Sequence, residues 1–202
     1  QELGEPVGEP GQVFLALYGL WGHNLVLGDM ETARELAMQC LTLAKKTQEP
    51  ALLMEGHRMT DETAFYRGEL VISREHLERT LSLYDPQLHS AHATVYGQDP
   101  GVASYSHGSW ILWHLGYPDQ ARTMGQQAVD LGEDVSHPFS LDFALCYSAV
   151  AHQFCGDERR VEELVKAAVS LSTEQEFVLW LAMATVLRGW VLAKRGQTEE
   201  GI

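Results

Sequence analysis

The chain has 202 residues, of which 45% are hydrophobic and 21% charged, so it can bury enough apolar surface to fold and is not expected to be disordered. Its 28 Asp and Glu against 14 Lys and Arg give a formal net charge of −14, which disfavours nucleic acid and anionic membranes as partners. The three cysteines, Cys40, Cys146 and Cys155, lack metal-like spacing and favour a reducing, cytoplasmic setting.

The first ten residues, QELGEPVGEP, lack the basic and apolar regions of a signal peptide. We expect residues 1–10 to be a linker. No later segment is apolar enough to predict a membrane span. Because the sequence starts at Gln1 without Met and stops at Ile202, we expect it to be a piece of a longer protein.

A turn centred on glycine recurs after apolar runs, and it dominates the pattern of the chain. Its glycines are spaced by 40, 48, 40 and 40 residues and are Gly28, Gly68, Gly116, Gly156 and Gly196. Small or modest side chains follow five and twelve residues later, as at Ala121 and Ala128. The pattern predicts helix pairs in which glycine ends the first helix and small residues allow the two helices to cross closely.

The predicted helices, in chain order, are 11–27, 30–46, 50–67, 70–84, 100–115, 118–133, 138–155, 158–173, 176–195 and 197 onward. Asp29, Asp119 and Asp157 are suited to begin second helices. The pairs form repeats at 11–48, 49–86, 99–135, 137–174 and 176–202, the last one incomplete, and 87–98 is an inserted loop. No strand pattern is present. We therefore predict one domain over 11–202, an all-α right-handed superhelical solenoid of about five antiparallel helix pairs.

The order of small and large residues resembles the tetratricopeptide repeat, although the period of 40 residues exceeds the usual 34. The segments LSLYDPQLHSAHATVYGQDPGVASYSHGSWILWHLGYPDQA, HPFSLDFAL and LRGWVLAKRGQTEEGI are similar to the repeat region of large bacterial predicted ATPases. Many of those proteins are fused to adenylate/guanylate cyclase or protein kinase domains. The resemblance implies that nucleotide chemistry lies in other domains and that the repeats form a sensory or interaction arm.

No phosphate-binding G-x-x-x-x-G-K-[ST] motif occurs in the chain. We therefore expect no catalytic residue, no cofactor and no enzyme activity in this segment. Nine histidines raise the question of a metal, with His89 and His92 three apart and His107 and His114 seven apart. Neither pair has a third ligand at suitable spacing, so no metal site is expected either.

The first helices of stacked pairs line the inner surface of such a solenoid, and aromatic residues dominate the positions expected there. The predicted partner-binding residues are Tyr18, Arg58, Glu62, Phe65, Tyr66, His107, Trp110, Trp113, His114, Tyr147, Phe154 and Trp190. The competing interpretation is that each of these aromatic residues packs in the core.

The aromatic groove suits a protein segment, either from another polypeptide or from upstream domains of the same protein. The acidic composition favours a basic or neutral partner. The alternative is a small-molecule sensor that holds an apolar effector in the same groove. The incomplete C-terminal pair also predicts a homodimer through this end of the chain.

Overall fold

In a computed structural model of the chain, the described residues are 9–89, 91–197, 199 and 201. Within this part, eleven helices and no strand are present. They are α1 (Pro10–Leu27), α2 (Met30–Thr47), α3 (Pro50–Tyr66), α4 (Leu70–Leu83), α5 (Pro86–His89), α6 (His92–Tyr96), α7 (Pro100–His114), α8 (Pro118–Asp134), α9 (Pro138–Phe154), α10 (Glu158–Gln175) and α11 (Val178–Lys194). The nine long helices agree with the predicted ones to within two residues at every end. Of the helix predicted from 197 onward, residues 198, 200 and 202 lie outside the described residues.

The helices fall into two compact units, Gln1–Asp85 and Pro86–Ile202. The first unit contains α1 to α4 and the second contains α5 to α11. In each unit, long helices joined by short turns pack as pairs, as short helix–helix connections require. The single domain predicted over 11–202 stays a prediction, and most of the predicted linker lies outside the described residues.

The five turn glycines all adopt the left-handed conformation, with φ between 72° and 87°. At Gly116, the backbone N–H donates to the Trp113 carbonyl, and the Tyr117 N–H donates to the Leu112 carbonyl. These bonds satisfy carbonyls at the end of α7, and a side chain at this φ would be strained. The predicted glycine turns are confirmed.

The predicted helix-starting aspartates are confirmed at two of three positions. The Asp29 and Asp157 carboxylates accept hydrogen bonds from the Thr32 and Arg160 N–H groups at the starts of α2 and α10. The prediction is wrong for Asp119, because α8 begins one residue earlier, at Pro118. Proline at the first helical position places Asp119 in the first turn, where its charge complements the helix dipole.

The small residues after the turns lie at fully buried helix crossings. Ala33, Ala121 and Ala128 are 0% exposed, as is Cys40. Helix α8 also approaches α9 closely, since a Cβ added to Gly132 would lie 3.1 Å from the Leu141 Cα. The small side chains therefore set the distance between neighbouring helices.

We expect Ala128→Leu to lower the free energy of unfolding by about 1–3 kcal/mol, because no space is left for three added carbons. Ala167→Leu is the matched control, since Ala167 is exposed on α10. Chemical denaturation of both variants measures the difference. Equal stability of the two variants would show that the helices at Ala128 separate without cost.

Two short helices occupy the predicted insertion at 87–98: α6 lies within it, and α5 begins one residue before it, at Pro86. Helix α6 ends at Gly97, whose φ is 81°. Asp99 then caps α7 by accepting from the Val102 N–H at 2.9 Å, and its own N–H donates to the Ser140 Oγ at 2.8 Å. The end of the insertion is thus anchored to the start of α9.

Candidate functional site

A stack of three aromatic rings joins α7 to α9 in the second unit. The Trp110 and Tyr147 rings lie 4.1 Å apart at 11°, and the Tyr147 and Phe143 rings lie 4.1 Å apart at 16°. The Trp110 indole N–H also donates to the Tyr147 carbonyl at 2.9 Å. Phe143 and Tyr147 are buried and Trp110 is half-buried. The predicted aromatic positions are thus close together, but much of this stack packs inside the unit.

The exposed end of the aromatic set lies at the C-terminal ends of α7 and α9. Trp113, His114 and Phe154 form this group, which we call the aromatic cluster. The Trp113 and Phe154 rings are 4.6 Å apart, and His114 contacts both edge-on at 5.1 and 5.8 Å. His114 and Phe154 are exposed and Trp113 is half-buried. The Trp113 indole N–H has no hydrogen-bond acceptor among the described residues.

His107 and Tyr147 do not lie on an open surface as expected. They are 2% and 8% exposed, and their rings contact each other at 5.1 Å. Tyr147 is covered because Trp110 and Phe143 stack on its two sides. For these two residues the core interpretation holds in this structure.

Arg58 and Glu62 are also buried, which corrects the expectation that they present charge to a groove. Arg58 is 1% exposed and donates to the carboxylates of Glu55 and Glu62 and to the Tyr18 hydroxyl. Its guanidinium carbon lies 5.4 Å from the Tyr18 ring centroid and 5.8 Å from that of Trp21. Burial is the main reason that the pKa of Tyr18 is raised. This network joins α1 to α3 inside the first unit.

The remaining predicted residues are at least partly accessible. Phe65 is half-buried and Tyr66 is 45% exposed, with ring centroids 5.2 Å apart. Trp190 is half-buried, and the Lys194 Nζ lies 5.6 Å from its ring centroid. Each of these residues can contact a partner.

Helix α11 exposes apolar side chains on one face. Val178, Leu179 and Val186 are 79%, 69% and 74% exposed. Exposed apolar surface of this kind favours association. The homodimer predicted through this end of the chain stays a prediction.

Two histidines that the sequence analysis did not single out, His57 and His76, pair between α3 and α4. Their Nδ1 atoms are 3.0 Å apart. Burial, aided by the charges of His76, Lys45 and Arg79, lowers the pKa of His57 to about 4. Burial also lowers the pKa of His76 below 6.5. Both rings therefore favour the neutral form at pH 7, in which one Nδ1 can donate to the other. The described residues contain no group of three or more His, Cys, Asp or Glu placed to hold a metal ion.

Asp142 is a buried carboxyl on α9 that links it to α10. It is 0% exposed, and one oxygen accepts from the Ser172 hydroxyl at 2.5 Å. Its other oxygen, Oδ1, has no partner among the described residues. Burial raises the pKa of Asp142 from 3.8 to about 6. The folded state therefore favours the protonated form, and the stability that this group contributes below about pH 4 is lost as the pH rises through 6.

We expect Asp142→Asn to raise the free energy of unfolding by about 1–3 kcal/mol at about pH 8, because the amide keeps the acceptor and removes the buried charge. At about pH 4 the gain should be smaller, since Asp142 is then protonated in the folded protein. Urea denaturation at both pH values tests this, with Asp134→Asn as an exposed control on α8. A gain of equal size at both pH values would contradict the titration of Asp142.

No helix among the described residues is both long and apolar enough to cross a membrane.

No protein-family model and no curated protein matches the sequence. Solved structures do match. The kinesin light chain TPR-like repeats of Podosopora anserina share 17% identity with a TM-score of 0.67, over 96% of this chain and 92% of that one. BtubC (BKLC) from P. vanneervenii shares 15% identity with a TM-score of 0.72, over 95% and 76% of the two chains.

These likenesses show the fold. The predicted all-α, tetratricopeptide-like fold is confirmed by the helix pairs of both units and by the two solved structures. The chain therefore has a tetratricopeptide-like helical repeat fold.

Proposed function

We propose that this chain is a non-catalytic protein-interaction module that binds a protein segment through its aromatic cluster. The observation that supports the proposal is the grouping of Trp113, His114 and Phe154 at the ends of α7 and α9, with rings 4.6 to 5.8 Å apart and partly open to solvent. Tryptophan and other large aromatic side chains contribute most to binding at interfaces of this kind. Phe65 and Tyr66 offer a smaller contact surface on the first unit.

The partner that suits this cluster is a basic or neutral segment with an apolar anchor. The chain carries a net charge of −14, which favours approach of positive charge. The carbonyl ends of α7 and α9 add partial negative charge beside the rings, and aromatic faces attract cations. The internal contact of Lys194 with Trp190 is an example of that attraction in the same unit.

The resemblance to the repeat region of bacterial predicted ATPases supplies the biological context of the proposal. In that context the module belongs to a larger cytoplasmic signalling ATPase or cyclase, and its partner is another polypeptide or the protein's own catalytic domains. The regulatory output then depends on domains outside this segment.

Selection from a displayed library of random peptides tests the proposal. We expect the enriched peptides to be basic or neutral and to bind Trp113→Ala and Phe154→Ala at least tenfold more weakly, because one lost anchor costs about 2 kcal/mol or more. Tyr117→Ala is the control, since Tyr117 is a 43% exposed aromatic residue outside the cluster. Circular dichroism checks that all three variants are folded.

Peptides that bind Trp113→Ala and wild type equally would contradict the proposal. A library that yields no binder, together with binding of small apolar molecules that Trp113→Ala weakens, would instead support the sensor alternative.

A further inference from the structure

An open cleft of about 580 Å³ lies in the second unit, where the end of the insertion meets the starts of α9 and α11. Three aromatic residues line it, Tyr96 from α6, Phe139 from α9 and Phe177 from the turn before α11. The Phe139 and Phe177 rings meet edge-on at 5.5 Å, and Phe139 also packs on Trp180 at 5.6 Å. The cleft walls are thus aromatic and held in place by the core. Nothing in the proposed function uses this cleft.

The polar side chains of the cleft include hydrogen-bond donors, and the two glutamine amides among them also carry acceptor oxygens. Gln98 and Gln175 line it, and neither side-chain amide has a partner among the described residues. His137 also lines it, and its Nδ1 accepts both the Ser140 N–H at 3.3 Å and the Ser140 hydroxyl at 2.9 Å. The neutral imidazole therefore carries its proton on Nε2, which remains as a donor.

The described lining of the cleft also lacks carboxylate, ammonium and guanidinium groups. None of the described residues that line it is Asp, Glu, Lys or Arg, although the chain has 42 such side chains, 28 acidic and 14 basic. A charged ligand would lose solvation here without gaining an ion pair. The ligand that fits is neutral, has flat or rigid apolar surface for the rings, and offers carbonyl oxygens to the donors.

We propose that this cleft binds an uncharged, proline-rich segment of a partner protein in the polyproline II conformation. Such a segment has carbonyl groups free of internal hydrogen bonds and, at proline, no N–H that needs an acceptor. Its rigid ring surface docks on aromatic side chains with little loss of conformational entropy, which is how proline-rich segments bind aromatic grooves in general. Tyr96, Phe139 and Phe177 supply the apolar contact, and His137, Gln98 and Gln175 supply the donors. The site is separate from the aromatic cluster of Trp113, His114 and Phe154.

Titration of the full chain with a blocked, fluorescently labelled oligoproline peptide tests the site by fluorescence anisotropy. We expect Tyr96→Ala to weaken binding about tenfold or more, since it removes one wall of the cleft. Gln175→Ala should weaken it about three- to tenfold, the value of one hydrogen bond. Gln127→Ala, an exposed glutamine on α8, should have no effect. A blocked Gly–Ser peptide of equal length should not bind.

A third variant separates recognition from folding. His137→Asp retains a side-chain acceptor that can cap α9 and has no donor when ionised, so oligoproline affinity should fall while the melting temperature does not. Gln175→Ala keeps the test decisive even where Tyr96→Ala disturbs α6, because Gln175 is the exposed last residue of α10.

Three results would overturn the inference: no oligoproline binding at millimolar concentration, binding that neither Gln175→Ala nor Tyr96→Ala changes, or equal binding of the Gly–Ser peptide. Oligoproline binding that Trp113→Ala abolishes would also overturn it, because the peptide would then occupy the aromatic cluster. Failure of this test leaves the proposed function standing, since the two sites share no residue.

Discussion

Replacing Arg58 with methionine is expected to lower the free energy of unfolding by about 3–5 kcal/mol, the usual effect of breaking a buried ion pair from one side. Arg58 is 1% exposed, and its guanidinium donates to Glu55, Glu62 and Tyr18. Glu55 and Glu62 are 0% and 5% exposed. Without the guanidinium, two buried carboxylates lose the cation that both of them pair with.

The choice of methionine separates the effect of the Arg58 charge from the effect of its side-chain packing. Methionine has a long flexible side chain that fills much of the same volume. Adding Glu55→Gln and Glu62→Gln to Arg58→Met should restore most of the lost stability, because the unpaired charges are then gone. Arg34→Met is the matched control, since Arg34 pairs with Glu31 at the surface, where both side chains are largely exposed. Arg34→Met should lower the free energy of unfolding by no more than about 1 kcal/mol.

Denaturation followed by circular dichroism measures these variants. A loss below about 1 kcal/mol in Arg58→Met would show that water or rearranged neighbours solvate the two glutamates. A triple variant as unstable as Arg58→Met would show that packing of the arginine side chain, and not its charge, holds α1 against α3.

The repeat pattern predicts the helices well because it depends on local chemistry. Gly28 and Gly116 end helices through a conformation that other residues adopt only with strain, and Ala121 and Ala128 fill the only space that a close crossing leaves. These requirements apply within one helix pair, so a single sequence carries them.

The pattern predicts burial of the aromatic and charged positions less well, because burial depends on which neighbours are present. Arg58 and Val186 both lie ten residues before a turn glycine, yet Arg58 is 1% exposed and Val186 is 74% exposed. The repeat pattern also does not predict the cleft at Tyr96, because the cleft depends on contacts between distant segments. Its lining residues come from three segments far apart in sequence, around 96–98, 137–139 and 175–177, and the insertion at 87–98 is the one local signal near them.

Trp110 and Trp113 are three residues apart on α7, and the structure predicts opposite results for their replacement. Trp110→Ala is expected to cost about 3–5 kcal/mol of stability, since it removes a ring stacked at 4.1 Å on Tyr147 and leaves the Tyr147 carbonyl without the indole N–H. Trp113 makes its ring contacts with Phe154 and His114, which are both exposed. Trp113→Ala should therefore cost less than about 1.5 kcal/mol while weakening binding of selected peptides at least tenfold.

Melting curves and peptide binding measured on the same two variants separate these roles. The sequence alone predicts that both tryptophans face a partner, which requires both variants to lose binding and to melt like wild type. The stacking of Trp110 predicts instead that peptide binding by Trp110→Ala falls only in proportion to unfolding. A double-mutant cycle of Trp110→Ala with Tyr147→Ala should give a coupling of about 0.5–1.5 kcal/mol, as expected for stacked aromatic rings. A coupling near zero, with a wild-type melting temperature for Trp110→Ala, would contradict the structural role of Trp110. Trp110 would then belong to the binding surface, together with the three residues of the aromatic cluster.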